Sequence, residues 1–370
     1  MNQKALSTLE YTKIIAQLEE YASTSMGKKR CRERVPMNDL QEIKTAQAQT
    51  SDALARILRK GSISFSGAKD IRDSLLRLKV GSSLSIAELL RVSALLRVAL
   101  RASDYGKRDH EPGEEDDALD AMFRELAPVV SLAKEIDRCI LSEEEIADDA
   151  SNGLRSVRRA MKTAAEKIRT QLNSLVVNSR TYLQDGVITM RNGRYCVPVK
   201  AEHKSNVPGM VHDQSSSGST IFVEPLSVVK LNNELRELEI REQKEIEAVL
   251  AALSNQTCDH LDELTLDLEL IGELDFIFAK AALSRHYRGC EPRLNKDGII
   301  RLKNARHPLL DPHRVVPITL TLGENFDLLI VTGPNTGGKT VSLKTVGLLT
   351  LMGLAGLHVP AAEGTTLSVF

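Results

Sequence analysis

Tryptophan is absent from this chain of 370 residues, and aromatic residues of all kinds make up only 4% of it. That scarcity argues against a protein built on aromatic platforms for stacking bases. Cysteine is sparse as well. Cys31, Cys139, Cys196, Cys258 and Cys290 are scattered with no metal-type spacing, so reduced thiols in a cytoplasmic protein are expected. No charge of one sign dominates, since 49 basic against 50 acidic residues leave a net charge of -1. Any basic surface must therefore be local. Long apolar runs are also missing. The longest, from Val346 to Val359, is interrupted by Gly347, Gly353 and Gly356 and falls short of the roughly 20 residues a bilayer span needs. The first residues, Met1-Asn2-Gln3-Lys4-Ala5-Leu6-Ser7, lack the apolar centre of a signal peptide. What is present is a hydrophobic content of 42%, enough for sizeable cores in two or three domains.

The most informative segment is Gly333-Pro334-Asn335-Thr336-Gly337-Gly338-Lys339-Thr340, which fits the phosphate-binding pattern G-x-x-x-x-G-K-[ST]. In that pattern glycines let successive backbone N–H groups curl round the phosphates of ATP, the lysine reaches the outer ones, and the hydroxyl of Thr340 meets Mg²⁺. Such a loop needs a strand before it and a helix after it. Phe326-Asp327-Leu328-Leu329-Ile330-Val331 reads as a short buried parallel strand. Val341, Leu343, Val346, Leu348 and Leu349 suit a buried helix whose N-terminus faces the anion.

Upstream, the first 180 residues read as almost wholly helical. Leu9, Ile14, Ile15, Leu18 and Tyr21 form an amphipathic stripe, and residues 43–58 continue in the same style. Residues 86–100 are dense enough in Leu, Ile and Val for a core helix, and 103–117 read as an exposed loop. Glu143 to Glu145, Asp148 and Asp149 read as solvated acids of a helical segment. Between 152 and 180, Arg155, Arg158, Arg159, Lys162, Lys167, Arg169 and Arg180 face a single acid, Glu166. This predicts a long helix with a basic side, either a contact for phosphate backbones or a solvated face paired with the acids near 143–149.

From Tyr182 to Glu224 the pattern changes to strands and turns. Residues 187–199 read as a hairpin turning at Asn192-Gly193, with further strands at 211–213 and 220–223. His203, His212, Asp213 and the serines of the 214–219 loop lack diagnostic spacing, and local structural roles are expected for them. Two long helices follow, over 225–255 and 261–287, and read as an antiparallel arm or a helical junction.

Residues 305–310 (Ala-Arg-His-Pro-Leu-Leu), a strand-like Val315-Val316-Pro317, and 330–340 together resemble the MutS family of ABC-type ATPases. Thr336, the continuation through 341–349, and the segments 191–200 and 216–225 are similar to its second bacterial branch. The resemblance covers nearly the whole chain. It implies a mainly α fold, with core and lever helices carrying a small β-rich clamp-like insertion, followed by the start of an α/β P-loop ATPase domain. The expected parts are a helical core over 1–150, a lever helix with a basic face over 151–182, the clamp-like module over 183–225, returning helices over 226–290 and the ATPase portion over 291–370.

The resemblance further implies ATP and Mg²⁺ as cofactors and a homodimer that sandwiches nucleotide. It implies branched DNA or the ribosome as partner, with no membrane, and a role in suppressing homologous recombination and splitting collided ribosomes. Relatives also carry a small nuclease domain. Two departures stand out. Pro317-Ile318-Thr319 replaces the Pro-Asn-Asp of many relatives near the expected adenine contact, and no strand ending in Asp-Glu follows the P-loop. The expected ATP-binding residues are Gly333 to Thr340, the expected nucleic-acid contacts are Arg155, Arg158, Arg159, Lys162, Lys167 and Arg169, and no catalytic base is assigned. Binding without ATP turnover is therefore expected of these residues. The alternatives are a chromosome-maintenance type of P-loop ATPase, in which the loop would precede the arm, and an inactive helical scaffold.

Overall fold

A computed structural model describes residues 3–107, 116–333 and 338–370. The chain is mainly α and opens with α1 (Gln3–Thr8), α2 (Tyr11–Tyr21), α3 (Ser25–Glu33), α4 (Leu40–Lys60) and α5 (Arg72–Lys79). Side-chain caps set where several helices begin. Thr24 accepts from the Gly27 N–H at the start of α3, and Asp39 accepts from the Glu42 N–H at the start of α4. Next come α6 (Ile86–Gly106), α7 (Asp120–Glu125) and α8 (Val130–Cys139). Ser85 and Glu88 bond reciprocally at the entry to α6, a capping box.

The short hairpin β1 (Ile140–Ser142) and β2 (Glu145–Ile146) leads into α9 (Asn152–Asn178), whose N-cap is Ser151. Four strands follow: β3 (Thr189–Arg191), β4 (Arg194–Lys200), β5 (Gly209–Gln214) and β6 (Thr220–Pro225). The chain then runs through α10 (Leu226–Cys258), α11 (Leu261–Tyr287), β7 (Arg293–Asn295), β8 (Ile300–Ala305), β9 (Ile318–Leu322), α12 (Lys339–Leu354) and β10 (Thr366–Ser368). Among the described residues no helix is long and apolar enough to cross a membrane.

Two compact units result. The first comprises residues 1–80, 91–134 and 257–370, and the second 81–90 and 135–256. In the first, α11 packs on α2, α3, α4 and α5 and is the central helix, with Leu264, Ile271, Leu274 and Ile277 fully enclosed. A four-stranded sheet in the order β7-β10-β8-β9 adjoins it. The strand at 318–322 begins where the sequence reading ended its strand-like 315–317.

The second unit is an antiparallel sheet, β3-β4-β6-β5, on a pair of long helices. Asn192 and Gly193 take positive φ values of 51° and 73°, the left-handed pair that a two-residue hairpin of matching twist requires. Strand alternation turns Val197, Val199, Ile221 and Val223 inward, onto Val157, Ile168 and Leu172 of α9 and Val228 and Leu235 of α10. The partner of α10 along its length is thus α9 rather than α11.

One buried group in the first unit makes stability depend on pH. Asp267 of α11 is fully buried, with Oδ1 accepting from the Ala127 N–H at 2.8 Å and Oδ2 without a partner among the described residues. Burial pushes its carboxyl up to about 6. A raised carboxyl stabilises the fold while protonated, so the contribution is lost as pH rises from about 4 to about 6. Asp267→Asn is expected to flatten that decline and to add about 2 kcal/mol at pH 7.5, read from urea midpoints across pH. A variant less stable than the parent at pH 7.5 overturns this account.

Candidate functional site

The expected nucleotide site surrounds the first turn of α12. Pro334, Asn335, Thr336 and Gly337 lie outside the described residues. Gly333 and Gly338 flank them with φ of 132° and 81°, a conformation that favours glycine. Gly338 is the N-cap of α12, so Lys339 and Thr340 occupy its first two helical positions, where unpaired N–H groups and the helix dipole favour an anion. Lys339 Nζ lies 3.5 Å from the carbonyl of Gly333, folded back over the loop mouth. Thr340 is exposed.

The segment 326–331, expected as a buried strand, is not in a sheet. Leu328 and Ile330 are each 74% exposed, and no strand among the described residues is paired with them. An apolar run becomes a buried parallel strand only where neighbouring strands receive its backbone groups, and here β9 is the last strand of its sheet.

Around this mouth the surroundings are polar. Lys344 Nζ bonds Glu10 Oε2 at 2.9 Å. Hydrogen bonds from Lys13 and then Lys344 hold the Glu10 carboxyl down at about 2. The segment 305–310 serves α11: Arg306 Nη2 donates to the carbonyls of Tyr287 and Arg288 at 3.0 and 3.2 Å, closing that helix's C-terminal end. His307 is buried, its ring pKa is pushed down by burial, and Nδ1 receives the Leu309 N–H at 3.4 Å.

In the second unit, α9 presents the expected basic side. Arg158 is committed, with Nε 2.7 Å from Glu242 Oε1 and Nη1 2.5 Å from Asp148 Oδ1. Arg155 lies 3.7 Å from Asp149. Arg159, Lys162, Lys167 and Arg169 are exposed. At 3.6 residues per turn, Arg155, Arg159, Lys162 and Arg169 fall on one face and Lys167 stands off it. Its N-terminal residues pair with acids, as the second reading expects, and those further along face solvent.

His212 finds its place inside the β-rich module. Glu224, buried at the end of β6, takes His212 Nε2 at 2.6 Å, Arg194 Nη1 at 2.8 Å and Asn232 Nδ2 at 2.8 Å. Burial pushes this carboxyl up, but the bonds from Asn232, Arg194 and His212 outweigh it and hold the group below the ordinary range. The cluster ties β4, β5 and β6 to α10. Periodicity had no means of singling out Glu224, because its partners come from three other elements. No group of three or more potential metal-ligating side chains occurs among the described residues.

No family model matches the sequence. Curated relatives do, along the entire chain. "Endonuclease MutS2" of Agathobacter rectalis is 54% identical over 372 residues, covering 100% of this chain and 47% of its own length. The protein of the same name from Lachnoclostridium phytofermentans is 52% identical over 376 residues, and that of Acetivibrio thermocellus 46% over 372, with the same shares covered. The chain spans about half the length of the curated relatives it matches. With such identity carried from end to end, the chain belongs to the MutS2 family.

Proposed function

We propose that the protein is an ATP-dependent clamp of the MutS type, binding ATP·Mg²⁺ at Gly333 to Thr340 and gripping phosphate backbones with its second unit. The observation that carries this reading is the glycine-flanked loop that opens directly onto the N-terminus of α12 with Lys339 and Thr340 in the first turn. Lys339 supplies the charge for the outer phosphates and Thr340 the hydroxyl for Mg²⁺. The exposed bases of α9 supply sequence-independent attraction to a phosphate backbone. Branched DNA and ribosomal RNA both offer that chemistry. For the whole protein we propose a homodimer that acts on recombination intermediates or stalled ribosomes in the cytoplasm, with the endonuclease activity that its relatives' names carry.

Two measurements test this. Lys339→Ala is expected to weaken binding of a fluorescent ATP analogue by at least about 30-fold, the loss of one or two charge-assisted hydrogen bonds, with little change in stability. Equal affinity in the two proteins removes the nucleotide reading. Reversing Arg159, Lys162 and Arg169 to glutamate is expected to flatten the salt dependence of binding by about three phosphate contacts. The assay is run in parallel on branched DNA and on intact ribosomes, and an unchanged slope on both clears α9 of any role.

A further inference from the structure

The far end of α12 is held in a way that the nucleotide loop does not explain. Carbonyls at the end of an α-helix ordinarily turn to solvent or to a local cap. Here the carbonyls from Gly353 to Leu357 each meet a polar group of the segment 34–50, in addition to the local cap that gives Gly353 O the Gly356 N–H. Gln47 Nε2 donates to Gly353 O at 2.8 Å and to Leu357 O at 2.9 Å. The Met37 N–H donates to Leu354 O at 3.0 Å, and Arg34 Nε to Ala355 O at 2.8 Å. The Thr50 hydroxyl lies 2.9 Å from Gly356 O.

Gln47 and Thr50 are both 0% exposed, so these bonds are made out of water's reach. Gly356 closes the turn with φ of 75°, and a Cβ placed there would come within 2.5 Å of the Ala46 Cβ. His358 extends the contact, with its ring nitrogens 2.7 Å from Ser284 Oγ and 3.0 Å from Ser51 Oγ. The amide oxygen of Gln47 has no partner among the described residues. A buried acceptor is left unpaired while both amide hydrogens serve α12, which costs stability and marks the arrangement as specific.

Towards its N-terminus the helix is less enclosed, joined to the start of α2 by the Lys344–Glu10 pair and by Gly347 against Leu9. Val341 and Leu343 are 40% and 59% exposed, whereas Leu348, Leu349 and Met352 are enclosed. A helix gripped at its C-terminal end carries any change of axis at that grip to its first turn. Sixteen residues make a rod of about 24 Å, and a tilt of about 5° at the collar moves the first turn by about 2 Å. That displacement is enough to make or break a hydrogen bond to phosphate.

We propose that Arg34, Gln47 and Thr50 are positioning residues for the nucleotide site: they set the axis of α12, and through it the place of Lys339 and Thr340, and they pass nucleotide occupancy into α3 and α4. The inference rests on the reading of 333–340 as a nucleotide site. Binding of a fluorescent ATP analogue and backbone hydrogen exchange with and without ATP·Mg²⁺ test it in the parent protein and in Gln47→Leu/Thr50→Val, which removes the two bonds donated by Gln47 and the hydroxyl that Thr50 shares between the carbonyls of Ala46 and Gly356, at nearly constant volume. In the parent, nucleotide is expected to slow exchange across 34–60 by about threefold or more. In the double variant, binding weakens by about three- to tenfold and the change at 34–60 disappears. If the double variant does not fold, Thr50→Val alone is expected to halve the response. A parent that binds ATP without any response at 34–60, or a folded variant that keeps the full response, overturns the inference alone. A parent that binds no ATP overturns the nucleotide reading and the inference with it.

Discussion

Replacing Asp275 by alanine is expected to cost about 4 kcal/mol of stability, one of the two largest losses available to a single substitution in the first unit. Asp275 projects from α11 and is 3% exposed. Its Oδ2 takes the Thr24 N–H at 2.8 Å and the Thr24 hydroxyl at 2.7 Å, while Oδ1 takes the Ser23 hydroxyl at 2.9 Å and the Ser23 N–H at 3.1 Å. Thr24 in turn caps α3 by accepting the Gly27 N–H at 2.9 Å. One carboxylate therefore fastens the start of α3 to the central helix and places a negative charge at the positive end of α3. Alanine strands the N–H and hydroxyl of buried Thr24 and takes the partner from those of exposed Ser23. Hydrogen bonds to a charged group contribute about 1.5–3 kcal/mol each, and partial rehydration brings the sum down to the figure given.

Gly27 provides an internal control. A Cβ at that position would come within 2.2 Å of Asp275 Oδ2, so Gly27→Ala must displace the carboxylate. In an Asp275→Ala background the two closest atoms are gone and the Cβ of residue 275, 3.0 Å away, has to give by only a few tenths of an ångström. The two substitutions are expected to be strongly non-additive, with the double variant close to Asp275→Ala alone. Urea unfolding of the four proteins of the cycle reads both effects. A loss below about 1 kcal/mol for Asp275→Ala, or simple additivity, contradicts this account.

Much of the architecture could be read from the sequence where short-range rules act. The Asn192-Gly193 turn needs two left-handed residues in succession, few pairs supply them, and the hairpin stands where it was expected. The apolar periodicities of 43–58 and 152–178 marked helices because each buries one face. Reading failed where the outcome depended on a partner remote in sequence. Residues 326–331 have the composition of a buried strand, but composition does not provide neighbours, and the pairing strand formed at 318–322 instead. Arg158 reads like the other bases of α9, and its contacts with Asp148 and with Glu242, 84 positions on, distinguish it. Asp275 resembles any acid of an amphipathic helix until α3 is placed against it, 251 positions away. The proposal of a nucleotide site at 333–340 has the opposite basis, since the pattern it draws on lies within eight consecutive residues.

Arg56 offers the second large effect, and here the sign of a compensating change is the sharper test. Its side chain is 2% exposed, with Nε and Nη2 each 2.8 Å from an oxygen of Asp117 and Nη2 2.5 Å from Asp120 Oδ1. The guanidinium also lies over the Phe123 ring, 4.9 Å from its centroid. Arg56→Met keeps much of the volume and the contact with Phe123 but leaves two buried carboxylates facing each other. Breaking a buried pair in this way costs about 3–5 kcal/mol, most of it the penalty of uncompensated charge rather than a lost attraction. The deficit should therefore be largely repaired by adding Asp117→Asn and Asp120→Asn. Asparagine retains a carbonyl oxygen for the backbone N–H groups that the two acids now receive, those of Asp117, Leu119 and Asp120. Thermal and urea unfolding measure the effect. If the triple variant is less stable than Arg56→Met, the ion cluster holds the 117–120 turn through its charges themselves. If it recovers, the turn is held by geometry and the charges are dispensable together but not singly.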